Sequence, residues 1–190
     1  MSTMKNLLVL LPVSFLAGCL TSVPPEVSHW NLEYAGGASS TKEAVHDIVR
    51  ISQVLVRAPY NAAGLTVLRA DGSLAFDAYN EYAAQPATLM KGVVFEALSA
   101  SGLCRTVVNP SSFVSSTASL EVMVTKLALD CRKDDARRAV AGVLVRLIGK
   151  DSLSVARGEG EADAADGNYG AAFSRAVSAA LDAAFAQLRR

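Results

Sequence analysis

The stretch Leu120-Glu121-Val122-Met123-Val124-Thr125-Lys126-Leu127-Ala128-Leu129-Asp130-Cys131 decides the fold. Leu120, Val122 and Val124 share one parity, while Leu127, Leu129 and Cys131 share the other. Alternation of this kind predicts a long strand with a buried face. The switch in mid-strand means either a bulge or burial on both faces. A charged turn follows over residues 132–136. Residues 138–148 and 152–157, joined by Gly149-Lys150-Asp151, complete a predicted meander. The segment 158–167 is acidic and glycine-rich. The chain then closes on a helix, because Phe173, Val177, Leu181, Phe185 and Leu188 form one apolar stripe at helical period. Arg189 and Arg190 suit the negative end of its dipole.

Reading back toward the start, Pro86 occupies a natural first helical position. Leu89, Met90, Val93, Val94, Ala97 and Leu98 follow at three- and four-residue spacing, and Gly102 is the expected stop. Residues 104–108 read as a short strand. Two further strand-like runs, 65–70 and 73–76, flank Asp71-Gly72, the signature of a type I′ hairpin turn. Residues 48–56 are β-branched and apolar and predict a central strand. Trp30-Asn31-Leu32-Glu33-Tyr34 alternates and predicts a first strand. The expected fold class is α+β: a largely antiparallel sheet with two main helices packed on one face, in a single domain.

The chain has 190 residues, 51% of them hydrophobic and 19% charged. Its low charge and ample apolar content argue against intrinsic disorder. Eighteen basic and eighteen acidic residues cancel. No nucleic-acid partner is expected of a neutral chain, since phosphate neutralisation supplies most of that affinity. The first residues carry a basic Lys5, an apolar run over 7–16 and the small pair Ala17-Gly18 before Cys19. That is the grammar of a secretory signal, too short to span a bilayer. Leu16-Ala17-Gly18-Cys19 matches a bacterial lipobox. The expected organisation is a signal peptide over 1–18, a lipidated N-terminus and tether over 19–29, and a domain over 30–190. Acylation of Cys19 would anchor the chain firmly. Leu20, in place of aspartate, favours the periplasmic face of the outer membrane.

The search for chemistry is short. The chain has no Gly-x-Ser-x-Gly elbow, P-loop or dinucleotide loop. His29 and His46 are the two histidines, expected in linker or loop, and no nucleophile is tied to either. No catalytic residue, metal site or cofactor is expected, so the chain reads as a non-enzyme. After lipidation Cys104 and Cys131 remain. An oxidising compartment permits them to pair, and a disulfide there would contribute on the order of 3 kcal/mol. Two buried free thiols are the other reading. Tyr60, Tyr79 and Tyr82 are interface candidates if exposed and core caps if buried.

Several segments together carry a family resemblance. They are Gln53-Val54-Leu55-Val56 through Arg57-Ala58-Pro59-Tyr60, then Leu65-Thr66-Val67-Leu68-Arg69, Phe76-Asp77-Ala78-Tyr79-Asn80-Glu81-Tyr82 and Pro86-Ala87-Thr88-Leu89. With the lipobox, they make the chain resemble the ABC-type transport auxiliary lipoproteins over residues 30–188. Many members carry a tryptophan before the first helix, where this chain reads Ala83-Ala84-Gln85-Pro86. The resemblance implies an outer-membrane accessory subunit that docks and does not catalyse. Its implied partner is a mammalian-cell-entry (MCE) domain protein of an ABC transport system for phospholipids or other hydrophobic molecules. The resemblance also implies a homo-oligomer in some members. The alternative is a stand-alone lipid-binding or structural envelope lipoprotein, with the stripe of the last helix lining a pocket.

Overall fold

The computed structural model describes residues 26–37, 44–133 and 136–189. The expected signal peptide, Cys19 and the first part of the tether lie outside these residues. In chain order the elements are β1 (Ser28–Trp30), β2 (His46–Val56), β3 (Gly64–Leu68), β4 (Leu74–Tyr82), α1 (Pro86–Ala100), β5 (Cys104–Val108), β6 (Ala118–Lys133), β7 (Ala136–Gly149), β8 (Leu153–Asp163) and α2 (Tyr169–Leu188).

β6 organises the sheet. One of its edges pairs antiparallel with β7, which pairs antiparallel with β8. Its other edge is shared between two partners in succession. β2 runs parallel to the first half, from Val49 opposite Ala118 to Val56 opposite Val124. β3 runs parallel to the second half, with Val67 opposite Leu129. β5 then adds parallel to β2, β4 antiparallel to β3, and β1 parallel to β4. The eight-stranded sheet is therefore mixed, which corrects the expectation of a largely antiparallel one. Four of its seven pairings among the described residues are parallel. The class itself holds: two helices and one sheet.

The parity switch in β6 is a bulge. Register slips between Val124 and Lys126, so Thr125 is the additional residue. Before it Leu120, Val122 and Val124 face the helices; after it Leu127 and Leu129 do. Both helices share one core with these residues and touch each other across it. The stripe of Phe173, Val177, Leu181 and Phe185 is buried there, so it is core, and only at Phe185 does it edge a surface cleft, beside Tyr34, Ser101 and Arg189. α1 begins with Pro86 at its first turn and ends before Gly102, at φ +66°. α2 is capped by the Asn168 side chain, which accepts from the Ala171 N–H.

Three further expectations change. The first strand is Ser28–Trp30, not 30–34. Beyond Trp30 the chain leaves the sheet and runs along α2, where Ser174 Oγ accepts from the Glu33 N–H and Ser178 Oγ from the Ala35 N–H. Those hydroxyls satisfy donors that a strand partner would otherwise take. The β3–β4 hairpin is not type I′. Gly72 alone has positive φ, and the Gly72 N–H donates to the Arg69 carbonyl while the Arg69 N–H donates to Ser73. That is a three-residue loop with glycine at the bulge position. Finally, β8 continues through the glycine-rich segment to Asp163. A Cβ on Gly158 would overlap the Ala180 carbonyl oxygen and stand 3.0 Å from the Ala184 nitrogen. One on Gly160 would stand 2.8 Å from the Ala180 nitrogen. The glycines are the track on which α2 lies.

Candidate docking face

Residues that alternate with the core positions of β2, β6, β7 and β8 point away from both helices. Among the described residues no helix covers this outer face. Leu55, Leu153 and Val155 are exposed on it, and Met123, Leu144 and Ile148 are half-buried. Leu55, Met123 and Leu144 lie side by side across β2, β6 and β7. In the next row Glu121 and Arg146 form an ion pair at 3.6 Å. Leu74 and Phe76 of β4 extend the apolar exposure toward the far end of the sheet. Exposed apolar side chains grouped beside an ion pair on an uncovered sheet face make this a candidate interaction surface.

One loop is built to stand on this face. Arg50 alternates with buried Val49 and Ile51, so its side chain projects outward over β2. Its guanidinium donates to the carbonyls of Asn109, Pro110 and Ser112 at 2.7–3.3 Å, and to that of Val114. The five-donor fork suits this task, since an ammonium on a flexible stem has no fixed geometry to match. The clamped loop carries Phe113, fully exposed, and Val114, half-exposed. An aromatic ring held in water by an ordered loop packs against nothing in its own chain's core, which makes Phe113 a candidate interface anchor.

The tyrosine candidates separate. Tyr79 is exposed on β4 and remains available for contact. Tyr60 is half-buried and packs against the core. Tyr82 is a correction: it is 3% exposed, packs edge-on against Phe173 at 5.8 Å, and its hydroxyl has no partner among the described residues. It belongs to the core, not to an interface.

The expected disulfide is also corrected. Cys104 and Cys131 are free thiols. Cys104 lies opposite His46 on β2, and β2 separates β5 from β6. Cys131 lies thirteen residues beyond Ala118 on β6, roughly 40 Å away at about 3.3 Å per residue. Burial pushes both thiols above their ordinary range, away from thiolate. His29 and His46 sit in strands β1 and β2 rather than in loops. Among the described residues no three His, Cys, Asp or Glu side chains gather to hold a metal.

Phe113 and its clamp Arg50 are candidate docking residues that the sequence did not reveal. Phe113 lies in a loop without periodicity, and the only local signals are Pro110 and the serines around it. Arg50 reads as one polar position in an apolar strand.

No family model and no curated protein matches this chain. Among solved structures it is similar to protein XCC0632 from Xanthomonas campestris, of the DUF330 family, with a TM-score of 0.58 and 13% identity over 85% of this chain and 91% of that one. A second structure, of an uncharacterized protein, gives a TM-score of 0.49 and 17% identity over 67% of this chain and 81% of that one. A third, PelC from Paraburkholderia phytofirmans, solved as a dodecamer, gives 0.35 and 14% over 77% and 94%. The first of these shows a shared fold.

Proposed function

We propose that this chain is a lipid-anchored accessory subunit of an ABC/MCE-type envelope transport system, and that it acts by docking and not by catalysis. The observation that carries the reading is the outer sheet face, which exposes Leu55, Leu153 and Val155, is covered by no helix among the described residues, and is topped by Phe113 on the Arg50-clamped loop. The lipobox at Cys19 and the fold shared with a DUF330-family protein support it. In this reading Cys19 holds the chain on the periplasmic face of the outer membrane, and the outer face meets an MCE-domain protein. The transported phospholipid or other hydrophobic molecule passes through that partner. A second copy of the chain is an additional partner in the same assembly.

The test has two arms. The full chain is expressed in a Gram-negative host and fed a labelled palmitate analogue. Label is expected on the wild type and not on Cys19→Ala. Crosslinked envelopes from the native host are then purified through the chain, and enrichment of an MCE-domain protein is expected. Unlabelled wild-type chain in the outer membrane would remove the anchor. Absence of any MCE-domain protein from the crosslinked material would remove the transporter assignment.

A further inference from the structure

β2 is covered on both edges only over its first part. β6 accompanies it to Val56, but β5 ends at Val108, opposite Arg50. Among the described residues no strand lies against positions 51–56 on the side away from β6. The Arg57 N–H donates to the Val124 carbonyl on β6. Backbone groups alternate sides along a strand, so Leu55 and Gln53 also turn theirs to β6. Val54 and Val56 turn theirs to the open side. This edge forms one wall of a cleft of about 530 Å³, which also includes Lys91 of α1 and Asn109, Pro110 and Ser111 beyond β5.

Open edges in soluble proteins are normally blunted by lysine, proline, bulges or inward charges, because they template pairing with other chains. Positions 51–56 read Ile-Ser-Gln-Val-Leu-Val and carry neither charge nor proline. The bulge at Ser52 lies at the β5 end and leaves Val54 and Val56 clear. Six residues give an edge of roughly 20 Å, the length of an ordinary strand. Lys91 is the only charged side chain lining the cleft, and among the described residues it forms no ion pair.

We propose that this edge receives an extended segment of a partner protein as an added strand, and that the segment carries an acidic residue to meet Lys91. Main-chain hydrogen bonds to Val54 and Val56 supply the affinity, and Lys91 supplies selectivity. The proposal rests on the docking reading for its biological setting, but its chemistry is testable without the transporter.

The probe is a seven-residue peptide alternating threonine and valine with a glutamate at each end. It is titrated into the protein and followed by amide NMR. The expected result is protection and shifting of the Val54 and Val56 amides. A peptide N-methylated at alternate positions does not bind. A lysine-ended peptide binds more weakly, and Lys91→Glu weakens the glutamate peptide by roughly two- to five-fold, the range of one exposed ion pair. Lys91 is exposed on α1, so the substitution disturbs no buried side chain. Absence of binding at millimolar peptide, or equal binding of the N-methylated peptide, overturns the proposal. So does a Gln53→Cys chain that crosslinks to itself through this edge, which would make the occupant a second copy. Peptide binding without an MCE partner in the envelope would leave the edge standing and overturn only the transporter assignment. An MCE partner without peptide binding would do the reverse.

Discussion

Gly158→Ala is the substitution that most sharply probes why α2 lies where it does. In isolation the change should stabilise a strand by restricting the unfolded chain, by about 0.4–1 kcal/mol. The structure predicts the opposite sign. The new Cβ would overlap the Ala180 carbonyl oxygen and stand 2.8 Å from its carbon. Carbon atoms pack at about 3.5–4.0 Å, so the carbonyl carbon alone demands a retreat of roughly 0.7 Å, and the overlapped oxygen demands more. The obstacle is helix backbone, which has no rotamer to change. A gap of about 0.5–1 Å forfeits a quarter to a half of the dispersion well, here along Phe173, Val177, Leu181 and Phe185. Overpacking costs about 1–3 kcal/mol, and a backbone clash belongs at the upper end, about 3 kcal/mol. For a domain of this size that lowers Tm by roughly 6–12 °C. Gly92→Ala is the control. Gly92 is exposed inside α1 with nothing within 4 Å of its Cβ position, so the same chemical change should raise stability by about 0.5–1 kcal/mol. Thermal unfolding by circular dichroism measures both. A Gly158→Ala chain as stable as the wild type, or a matching fall for Gly92→Ala, would refute the close-approach argument.

Other predictions follow from single contacts. Arg50→Gln removes four charge-assisted bonds to the loop and should cost about 1–2 kcal/mol, with partial exposure keeping it below the sum of the bonds. Hydrogen exchange at residues 109–114 should rise, and Arg50→Lys should fail to restore it. Tyr82→Phe removes a buried hydroxyl without a partner among the described residues and should leave the denaturant midpoint unchanged or raise it by about 1 kcal/mol of stability. Alkaline stability should depend on Tyr34 and Tyr82. Burial raises both phenols above their ordinary 10.0, with a further contribution at Tyr34 from the hydrogen bond to Asp182. A raised folded value means the contribution is present below pH 10 and is lost as pH climbs from there. Denaturant midpoints from pH 9 to 11.5 should therefore fall less steeply for Tyr34→Phe than for the wild type.

What the sequence made legible was local periodicity. The stripe of α2, the Pro86 start and Gly102 stop of α1, and the parity switch at Thr125 all stand where patterning puts them. What it hid was direction and partnership. β2 and β3 both lie parallel to β6, and alternation along a strand says which face is buried but not which way its neighbour runs. The end of β8 was hidden by glycine's poor strand propensity. Yet Arg157, Glu159, Glu161 and Asp163 alternate there with Gly158, Gly160 and Ala162, the pattern of a strand under a closely packed helix. The docking face was harder to read. Exposed Leu55, Leu153 and Val155 look like core residues in any apolar strand. The Arg50 clamp joins positions 59 to 64 residues apart that only the crossover between β5 and β6 brings together.

The most direct test of the central claim places a photo-crosslinking amino acid at position 113 of the full chain in its native envelope, with position 92 on the helical side as control. The account predicts an adduct with an MCE-domain protein from position 113 and none from position 92. No such adduct at 113, or equal adducts from both positions, would contradict it.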